Sequence, residues 1–484
     1  MPLRNLAWLL IVPALVLVGL TISYSAPAPD KDYVLVRQVV DVLAEVDSNY
    51  YRELSDDDRQ KLVEDMINGG LRQLDPHSEY LNEKKLKDFK TNSEGSFGGV
   101  GIVLGLDAET HLLKVRNPMP GTPAYEAGVI ANDLIVKIDG HATPPIADKF
   151  ADAQERLDAE RGAINDAKKF IMGELGTKVT MTFRRAGRIP AEFDVTLTRS
   201  RIELHPVVGV TRRKDDPTHW EWFADPQNKI ALIRLKDTFS DLTTKELRMA
   251  LDEIDAAGGA RGLILDLRDN PGGLLNEAID VANAFLTDGQ RIVSTRNRHG
   301  NERTFSAKKD ASRYVATPDN PRPMAVLVNR QSASASEIVA SALQDHKRAV
   351  VVGERSYGKG SVQKLLYLNP EKTAAVKLTT ETYWRPSGKN IHRARNPDAK
   401  ESEEWGVRPD ENLEVLTAEA ERLRYALEMD KLEYVAGKPA FVGPNPPPPP
   451  PAPKGADGKP LYDDSKPFDD RVLNKAIEVL KKKQ

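Results

Sequence analysis

Short apolar segments alternate with helical segments between residues 228 and 415, and this alternation constrains the fold more than any other feature of the chain. KIALIRL and MAVLVN are typical of buried strands, whereas TTKELRMALDEIDAAGG and SEIVASALQDH space their apolar residues as helices do. Strands that are connected through helices pair in parallel, with right-handed crossovers. We therefore predict an α/β core over residues 201–425, with its sites at the carboxyl ends of the strands.

Regions of different character flank this core, since 484 residues are too many for one ordinary core. Residues 33–94 show helical spacing, and residues 95–200 are Gly-rich with alternating segments (KVTMTFRR, EFDVTLTR) that predict antiparallel strands. A polar segment near Ile146–Arg161 exceeds what a small β-domain needs and predicts an added helix. Residues 426–484 form a C-terminal extension, in which the polyproline tract Pro444–Pro453 predicts a stiff spacer before a final amphipathic helix.

The N-terminus carries an apolar, uncharged run, Leu6–Ile22, directly behind Arg4. This run is long for the core of a signal peptide and short for a membrane span, and small residues follow it. Residues 1–26 are therefore predicted to be an export signal or an uncleaved membrane anchor. Either one places the protein outside the cytoplasm, in a periplasmic or other extracytoplasmic compartment.

Composition excludes several function classes. Lys and Arg total 69 and Asp and Glu total 72, without a long basic block, so nucleic-acid binding is not expected. The absence of cysteine excludes thiolate nucleophiles and thiolate metal sites. The eight histidines are scattered without an HExxH spacing, so we predict no metal site and no cofactor.

The stretch SASASE, Ser332 to Glu337, admits two interpretations. Ser334 as N-cap and Glu337 three residues later form the pattern of a capping box, which needs no catalytic explanation. Ser334 also lies in the turn between a strand and a helix, where free N–H groups and the helix dipole can stabilise an anion. That environment suits a serine nucleophile with an oxyanion hole.

A serine nucleophile needs a base, and the segment SYGKGSVQ offers Lys359 between two glycines. Lysine has a reference pKa of about 10.4, so it acts as a base near neutrality only if burial lowers that value. Gln363 lies on the same face of an extended chain and could orient Lys359. Each residue alone has an ordinary structural explanation, but their joint occurrence in strand-end turns of one α/β unit favours a site.

The segment SASASEIVASALQDHKRAVVVGERSYGKGSVQ strongly resembles the core motif of the carboxyl-terminal processing peptidases, the tail-specific serine proteases with a Ser/Lys dyad. The resemblance implies that Ser334 is the nucleophile, Lys359 the general base and Gln363 its positioning residue. Ser332 and Ser336 then have structural roles.

The segment LILDLRDNPGGLL matches the same family. It implies an oxyanion hole made by a backbone N–H of Gly272 or Gly273 together with that of Ala335. The sequence does not choose between the two glycines.

The segments FGGVGI and PGTPAYEAGVIANDLIVKIDG resemble a PDZ domain. In such domains a Gly-rich loop binds the terminal carboxylate of a peptide, which adds to the edge of the sheet as a strand. Gly99, Val100, Gly101 and Ile102 match that loop. The implied fold is an α/β protease core of the crotonase/ClpP type, with a β-rich PDZ domain and helical N- and C-terminal regions.

The resemblance implies an exported serine endopeptidase that recognises substrate C-termini through its PDZ domain. Protein and peptide substrates are the expected partners, together with a second copy of the chain or a regulatory adaptor, and with a membrane if the N-terminal segment stays attached. A catalytically silent PDZ scaffold is the main alternative. A non-proteolytic acyltransferase or ligand-binding protein on the related crotonase-like core is a further one.

Overall fold

The computed structural model describes residues 31–107, 110–147, 153–309, 322–393, 404–442 and 467–484. Two compact units are present, residues 1–80 and residues 81–484. The predicted leader and the polyproline tract both lie outside the described residues. Among the helices of the described ranges, none combines the length and the apolar character that a membrane span requires.

Within the described residues, eleven helices and twenty-one strands are present. The helices are α1 Lys31–Asn49, α2 Asp56–Leu74, α3 Glu83–Glu94, α4 Pro123–Glu126, α5 Ala153–Ile171, α6 Thr243–Ala256, α7 Leu275–Asn283, α8 Ala335–Asp345, α9 Glu419–Glu433, α10 Pro439–Val442 and α11 Arg471–Lys483. The strands are β1 Glu79–Leu81, β2 Ser96–Gly99, β3 Ile102–Leu106, β4 Leu113–Pro118, β5 Leu134–Ile138, β6 His141–Ala142, β7 Lys178–Arg184, β8 Glu192–Thr198, β9 Ser200–Glu203, β10 Val207–Val208, β11 Thr211–Arg212, β12 Trp220–Glu221, β13 Phe223–Asp225, β14 Ile230–Leu235, β15 Gly262–Asp266, β16 Arg291–Asn297, β17 Glu302–Ser306, β18 Met324–Val328, β19 Val350–Gly353, β20 Ser361–Tyr367 and β21 Ala375–Trp384.

The N-terminal unit consists of α1 and α2 and the turn that follows them. Ser55 caps α2 by accepting the N–H of Asp58 at 3.1 Å, and three aspartates in the first turn favour the helix dipole. Helix α2 ends where the Asp75 carboxylate accepts the N–H groups of His77 and Ser78. The apolar side chains of α1 remain largely exposed, in contrast to those of a helix packed in a core.

Strands β3, β4, β5, β7 and β8 form an antiparallel sheet in that order. KVTMTFR and EFDVTLT pair as β7 and β8, which confirms the antiparallel prediction for them. Alternate residues such as Val179 and Met181 are fully buried in the core of this domain. The helix predicted near Ile146–Arg161 begins at Ala153 and continues to Ile171, and its second half, including Ala167, packs into the same core.

The predicted α/β core contains a sheet with the order β10, β14, β15, β18, β19. Strands β14, β15, β18 and β19 pair in parallel, as the alternation of strands and helices predicts. All five residues of β15 and of β18 are buried, which is typical of strands that are covered on both faces.

Two different helical layers cover this parallel sheet. Successive strands are added in one direction, so right-handed connections place α6, α7 and α8 on one face, where they pack with residues such as Ile233. Residues of the opposite face, such as Leu232 and Ile264, pack against Val472 and Leu480 of α11. The C-terminal helix, which the sequence identifies only as an addition, therefore completes the core.

The parallel strands end at one edge of the sheet, and three turns meet there. The turn after β15 runs from residue 267 to 273, the turn after β18 from 329 to 334, and the turn after β19 from 354 to 360. Strands β16, β17, β20 and β21 form a separate antiparallel sheet, and β20 continues directly from the third turn. The fold thus brings SASAS, the NPGG segment and SYGKG to one place.

Candidate active site

Ser334 lies in a strained turn immediately before α8. Its backbone has φ of 54° and ψ of −113°, a region that side-chain-bearing residues rarely occupy. Such a conformation costs about 1–3 kcal/mol and persists where the surroundings enforce it, often at active sites. The helix begins at the next residue, Ala335, so the side chain of Ser334 is presented at the amino end of a helix.

The three serines of SASAS have different environments. Ser332 Oγ donates to the carbonyl of Leu267 at 2.7 Å, and Ser336 Oγ donates to the carbonyl of Asn270 at 2.9 Å. Both serines are completely buried, and the two bonds attach the turn before α8 and the first turn of α8 to the turn after β15. Ser334 retains 8% exposure at the surface of this arrangement. The geometry therefore gives the outer two serines structural partners and leaves the middle one at the edge.

A single buried carboxylate connects the turn of Ser334 to the turn of Lys359. Oε2 of Glu337 accepts the backbone N–H of Ser334 and that of Lys359, each at 2.8 Å. Its other oxygen, Oε1, accepts Ser356 Oγ at 2.5 Å and the N–H of Gly358 at 2.6 Å. The amide nitrogens of residues 334 and 359 are thus less than two hydrogen-bond lengths apart, with one oxygen atom between them.

Glu337 is fully buried, and burial raises its pKa above the usual range for a glutamate. Four hydrogen bonds oppose this effect, because each donor stabilises the ionised carboxylate. The four donors also fix the position of the carboxylate, since every one of them belongs to one of the two turns. Glu337 is thus both the N3 residue of α8 and the connection to the Lys359 turn.

The Lys359 turn is closely packed on both sides. The N–H of Tyr357 donates to the carbonyl of Ser332 at 2.9 Å, which is a second connection between the two turns. A Cβ atom at Gly360 would lie 2.3 Å from the backbone nitrogen of His392, so only glycine allows this approach. Lys359 itself is partly buried. The glycines beside Lys359 therefore serve close packing of the backbone.

Gln363 lies on β20, two residues beyond Ser361 on the same face of the strand. Its amide group donates to the hydroxyls of Ser361 and Thr379, each at 2.9 Å. Ser361 is buried, and it stands between Gln363 and Lys359 along the chain. Ser361 occupies the intermediate position of the alternation that includes Lys359 and Gln363, whereas Thr379 lies on the neighbouring strand β21.

The two glycines of the NPGG segment have separate environments. Gly272 is buried, and a Cβ atom there would lie 2.7 Å from Cβ of Ser334 and 2.8 Å from the nitrogen of Ala335. Its N–H donates to Oδ1 of Asn270 at 2.9 Å, within the turn. Gly273 is exposed. Gly272 therefore provides the close approach to Ser334, whereas Gly273 lies at the surface of the turn.

Gly99, Val100, Gly101 and Ile102 connect β2 to β3 at the edge of the PDZ-like sheet. The carbonyl of Val100 accepts the N–H of Ala124, and the carbonyl of Gly101 accepts that of Met119, each at 2.9 Å. Gly101 has φ of 77°, in the left-handed region. The acceptors of this loop are thus bound within the domain.

Known protein families match the predicted α/β core and the PDZ-like region. The profile of peptidase family S41 matches residues 229–413, and that of the PDZ domain matches residues 114–164. A carboxy-terminal-processing protease of Bartonella bacilliformis is 38% identical over 338 residues, which cover 69% of this chain and 68% of that protein. A carboxyl-terminal-processing protease of Synechocystis sp. is 35% identical and covers 70% of this chain and 68% of that protein.

The chain belongs to peptidase family S41 and to its carboxy-terminal-processing proteases. It is therefore a serine-type peptidase with a PDZ domain, as the sequence resemblance implied. Among solved structures, a photosystem II D1 C-terminal processing protease aligns with 83% of this chain and 91% of that chain, at 26% identity and a TM-score of 0.40.

Glu337 is the residue of this S41 peptidase whose importance sequence reasoning underestimated. The capping-box pattern predicted its contact with Ser334, and the bond from the Ser334 N–H is present. The contacts with Ser356, Gly358 and Lys359 had no signal in the sequence, because those residues follow Glu337 by about twenty positions and a strand. The available hint was a carboxylate in a helix whose other buried residues are small or apolar.

We expect Glu337→Gln to lower kcat by about a hundredfold. Each carboxylate oxygen of Glu337 accepts two hydrogen bonds, and the NH2 group of glutamine cannot accept the two bonds made to the oxygen that it replaces. The measurement is kcat on a fluorogenic peptide, together with the free energy of unfolding. Glu277→Gln is the matched control, because Glu277 also accepts a backbone N–H and a hydroxyl, both from Thr244. Equal kcat values for the two variants would contradict the bridging role of Glu337.

Proposed function

We propose that the protein is an exported serine endopeptidase that uses Ser334 and Lys359 as a catalytic dyad. The observation that carries the proposal is the carboxylate oxygen of Glu337, which accepts the backbone N–H groups of both residues. This arrangement supports a hydroxyl and an amine that face one another across two adjoining turns. Membership of the S41 family supports a hydrolytic role for the same residues.

In the first half-reaction, Ser334 Oγ attacks the carbonyl carbon of the scissile peptide bond while its proton passes to the neutral amine of Lys359. The protonated Lys359 then donates this proton to the leaving amine, and the C–N bond breaks to give an acyl-enzyme. Water attacks the acyl-enzyme and gives a proton to Lys359, which returns it to Ser334 as the acid product leaves.

The oxyanion of each tetrahedral intermediate would be stabilised by two backbone N–H groups. Ala335 supplies one at the start of α8, where the helix dipole adds a favourable field. We assign the second to Gly273, because the N–H of Gly272 is already donated to Asn270. Gly272 then allows the two turns to approach closely, and Gln363 with Ser361 supports the strand that follows Lys359.

The PDZ domain would recognise the substrate by its C-terminus. The carbonyls of Val100 and Gly101 in the Gly99–Ile102 loop are bound within the domain, which supports binding of a terminal carboxylate by the backbone N–H groups of the loop. The substrate segment further upstream would then enter the site at Ser334. A catalytically silent scaffold has no support from the relatives, which are named as proteases.

The proposed function also includes export of the protein and contact of α1 with another polypeptide. The apolar run behind Arg4 supports export or membrane anchoring, and this segment lies outside the described residues. The exposed apolar side chains of α1, including Val36 at 61% and Val40 at 57% exposure, support contact with another polypeptide. A second copy of the chain or an adaptor protein would fit this surface.

Ser334→Ala and Lys359→Ala are each expected to lower the hydrolysis rate by about a thousandfold or more, because they remove the nucleophile or its base. Ser332→Ala and Ser336→Ala are the matched controls, since they remove hydroxyls two residues from Ser334 without removing the proposed nucleophile. We expect these controls to lose about 1–3 kcal/mol of stability and to keep a kcat far above that of the dyad variants. Full cleavage by either dyad variant would rule out the mechanism.

The rate should rise with pH, since Lys359 must be neutral and Glu337 ionised in the active enzyme. Burial raises the pKa of Glu337, so this carboxylate takes up a proton at a higher pH than an ordinary glutamate would. Both titrations therefore lower activity in the same direction, toward acid. The measurement is kcat/KM for a fluorogenic peptide between mildly acidic and alkaline pH, and a flat profile would exclude lysine as the base.

Substrates with an amidated C-terminus should show kcat/KM about tenfold or more below that of the same peptide with a free carboxylate, because charge-assisted hydrogen bonds to the PDZ loop are lost. The comparison uses two peptides with identical scissile bonds, measured on the full chain. A short fluorogenic peptide that reaches only the Ser334 site should be insensitive to amidation. Equal kcat/KM values for the amidated and the free-carboxylate forms of the long peptide would contradict recognition through the C-terminus.

A further inference from the structure

Helix α11 lies outside the region that the S41 profile matches, yet it packs on the same sheet as the active-site turns. Val472, Ala476 and Leu480 are buried against the face of the sheet opposite to α6, α7 and α8. Asp470 is the N-cap of this helix, and its Oδ1 accepts the N–H of Leu473 at 3.0 Å. The N-cap of α11 is therefore a carboxylate that binds the first turn of the helix.

The carboxylate of Asp470 binds Arg268, which lies in the turn after β15. Nη1 of Arg268 donates to Oδ1 of Asp470 and Nη2 donates to Oδ2, each at 2.8 Å, in the paired geometry that suits guanidinium and carboxylate. Arg268 also donates to Asp266 at 2.9 and 2.8 Å. The ring of Tyr425 lies 4.2 Å from its guanidinium carbon. Arg268 is thus held between two carboxylates and an aromatic face.

Asp470 balances the charge of this buried cluster. Asp266 pairs with Arg234 at 3.1 Å as well as with Arg268, and these three side chains are at most 5% exposed. Burial alone would raise the pKa of Asp266, but the guanidinium groups of Arg268 and Arg234 lower it to about 2. Without Asp470, two guanidinium groups would share one carboxylate away from water, which is costly.

The cluster is continuous with the proposed oxyanion turn. The backbone N–H of Arg268 donates to Asp266 at 3.1 Å, and two residues later Asn270 binds the N–H of Gly272. The carbonyl of Asn270 accepts the N–H of Ala333 at 3.1 Å and the hydroxyl of Ser336. A displacement of Arg268 would therefore reach the turn of Gly272 and Gly273 and the turn of Ser334 through a short series of hydrogen bonds.

We propose that Asp470 is a positioning residue for the peptidase reaction, so that the docked C-terminal helix is required for full activity. The inference rests on the proposed function, since it concerns the rate of the Ser334 reaction. Asp470 acts through Arg268, which holds the turn of residues 267–273 in the geometry that receives the oxyanion. The C-terminal helix thereby couples its own docking to catalysis.

The test uses full-length Asp470→Asn, which keeps a good N-cap but removes the charge. We expect kcat, and the rate of Ser334 modification by a fluorophosphonate, to fall about tenfold or more, while KM for a short fluorogenic peptide changes less than about threefold. Asp470→Glu restores the charge and should recover most of kcat. Lys481→Met is the matched control, because Lys481 pairs with Asp225 at 2.6 Å at the other end of the same helix.

The inference is overturned if Asp470→Asn keeps the kcat of the natural sequence. It is also overturned if Lys481→Met lowers kcat as much as Asp470→Asn does. A different result, in which the unaltered chain neither reacts with fluorophosphonate nor cleaves peptides, overturns the proposed function instead. If Asp470→Asn does not fold, Leu480→Ala weakens docking by lost packing alone. Hydrogen exchange of the α11 amides then gives the released fraction, and kcat must fall as that fraction grows for the inference to stand.

Discussion

The structure of the site depends on one buried carboxylate. Glu337 accepts hydrogen bonds from four donors that belong to two different turns, and each turn carries one residue of the proposed dyad. Burying a carboxylate is unfavourable unless its oxygens are satisfied, so the two turns and Glu337 stabilise one another. This mutual dependence explains how a strained backbone at Ser334 persists, because the N–H of that residue is held from one side by Glu337.

A second constraint comes from the topology of the parallel sheet. Right-handed connections between strands added in one direction place all the crossover helices on one face, and leave the other face apolar. Helix α11 covers that face, with Leu480 packed against residues such as Ile264. Its N-cap, Asp470, then meets Arg268 at the edge where the strands end. A requirement of the fold has thus brought a distant segment next to the active-site turns.

Much of the fold and part of the site were accessible from the sequence. The four parallel strands and the antiparallel pair of β7 and β8 follow from local apolar patterns, which the structure confirms. The different environments of Gly272 and Gly273 could not be predicted from the sequence. They depend on the side chain of Asn270, which accepts the N–H of Gly272. Likewise, the partners of Gln363 include Thr379 on a neighbouring strand, which a pattern along one strand cannot reveal.

The sequence by itself determined the family, the α/β alternation and the candidate pair of Ser334 and Lys359, since these are written in local periodicity and in motif spacing. Only the tertiary structure decided which groups hold that pair together. Ser332 and Ser336 donate hydrogen bonds to the turn after β15. Glu337 connects the two dyad turns, and Asp470 compensates the positive charge of Arg268. The physical reason is that a buried polar group is defined by its hydrogen-bond partners, and those partners come from segments far apart in the chain.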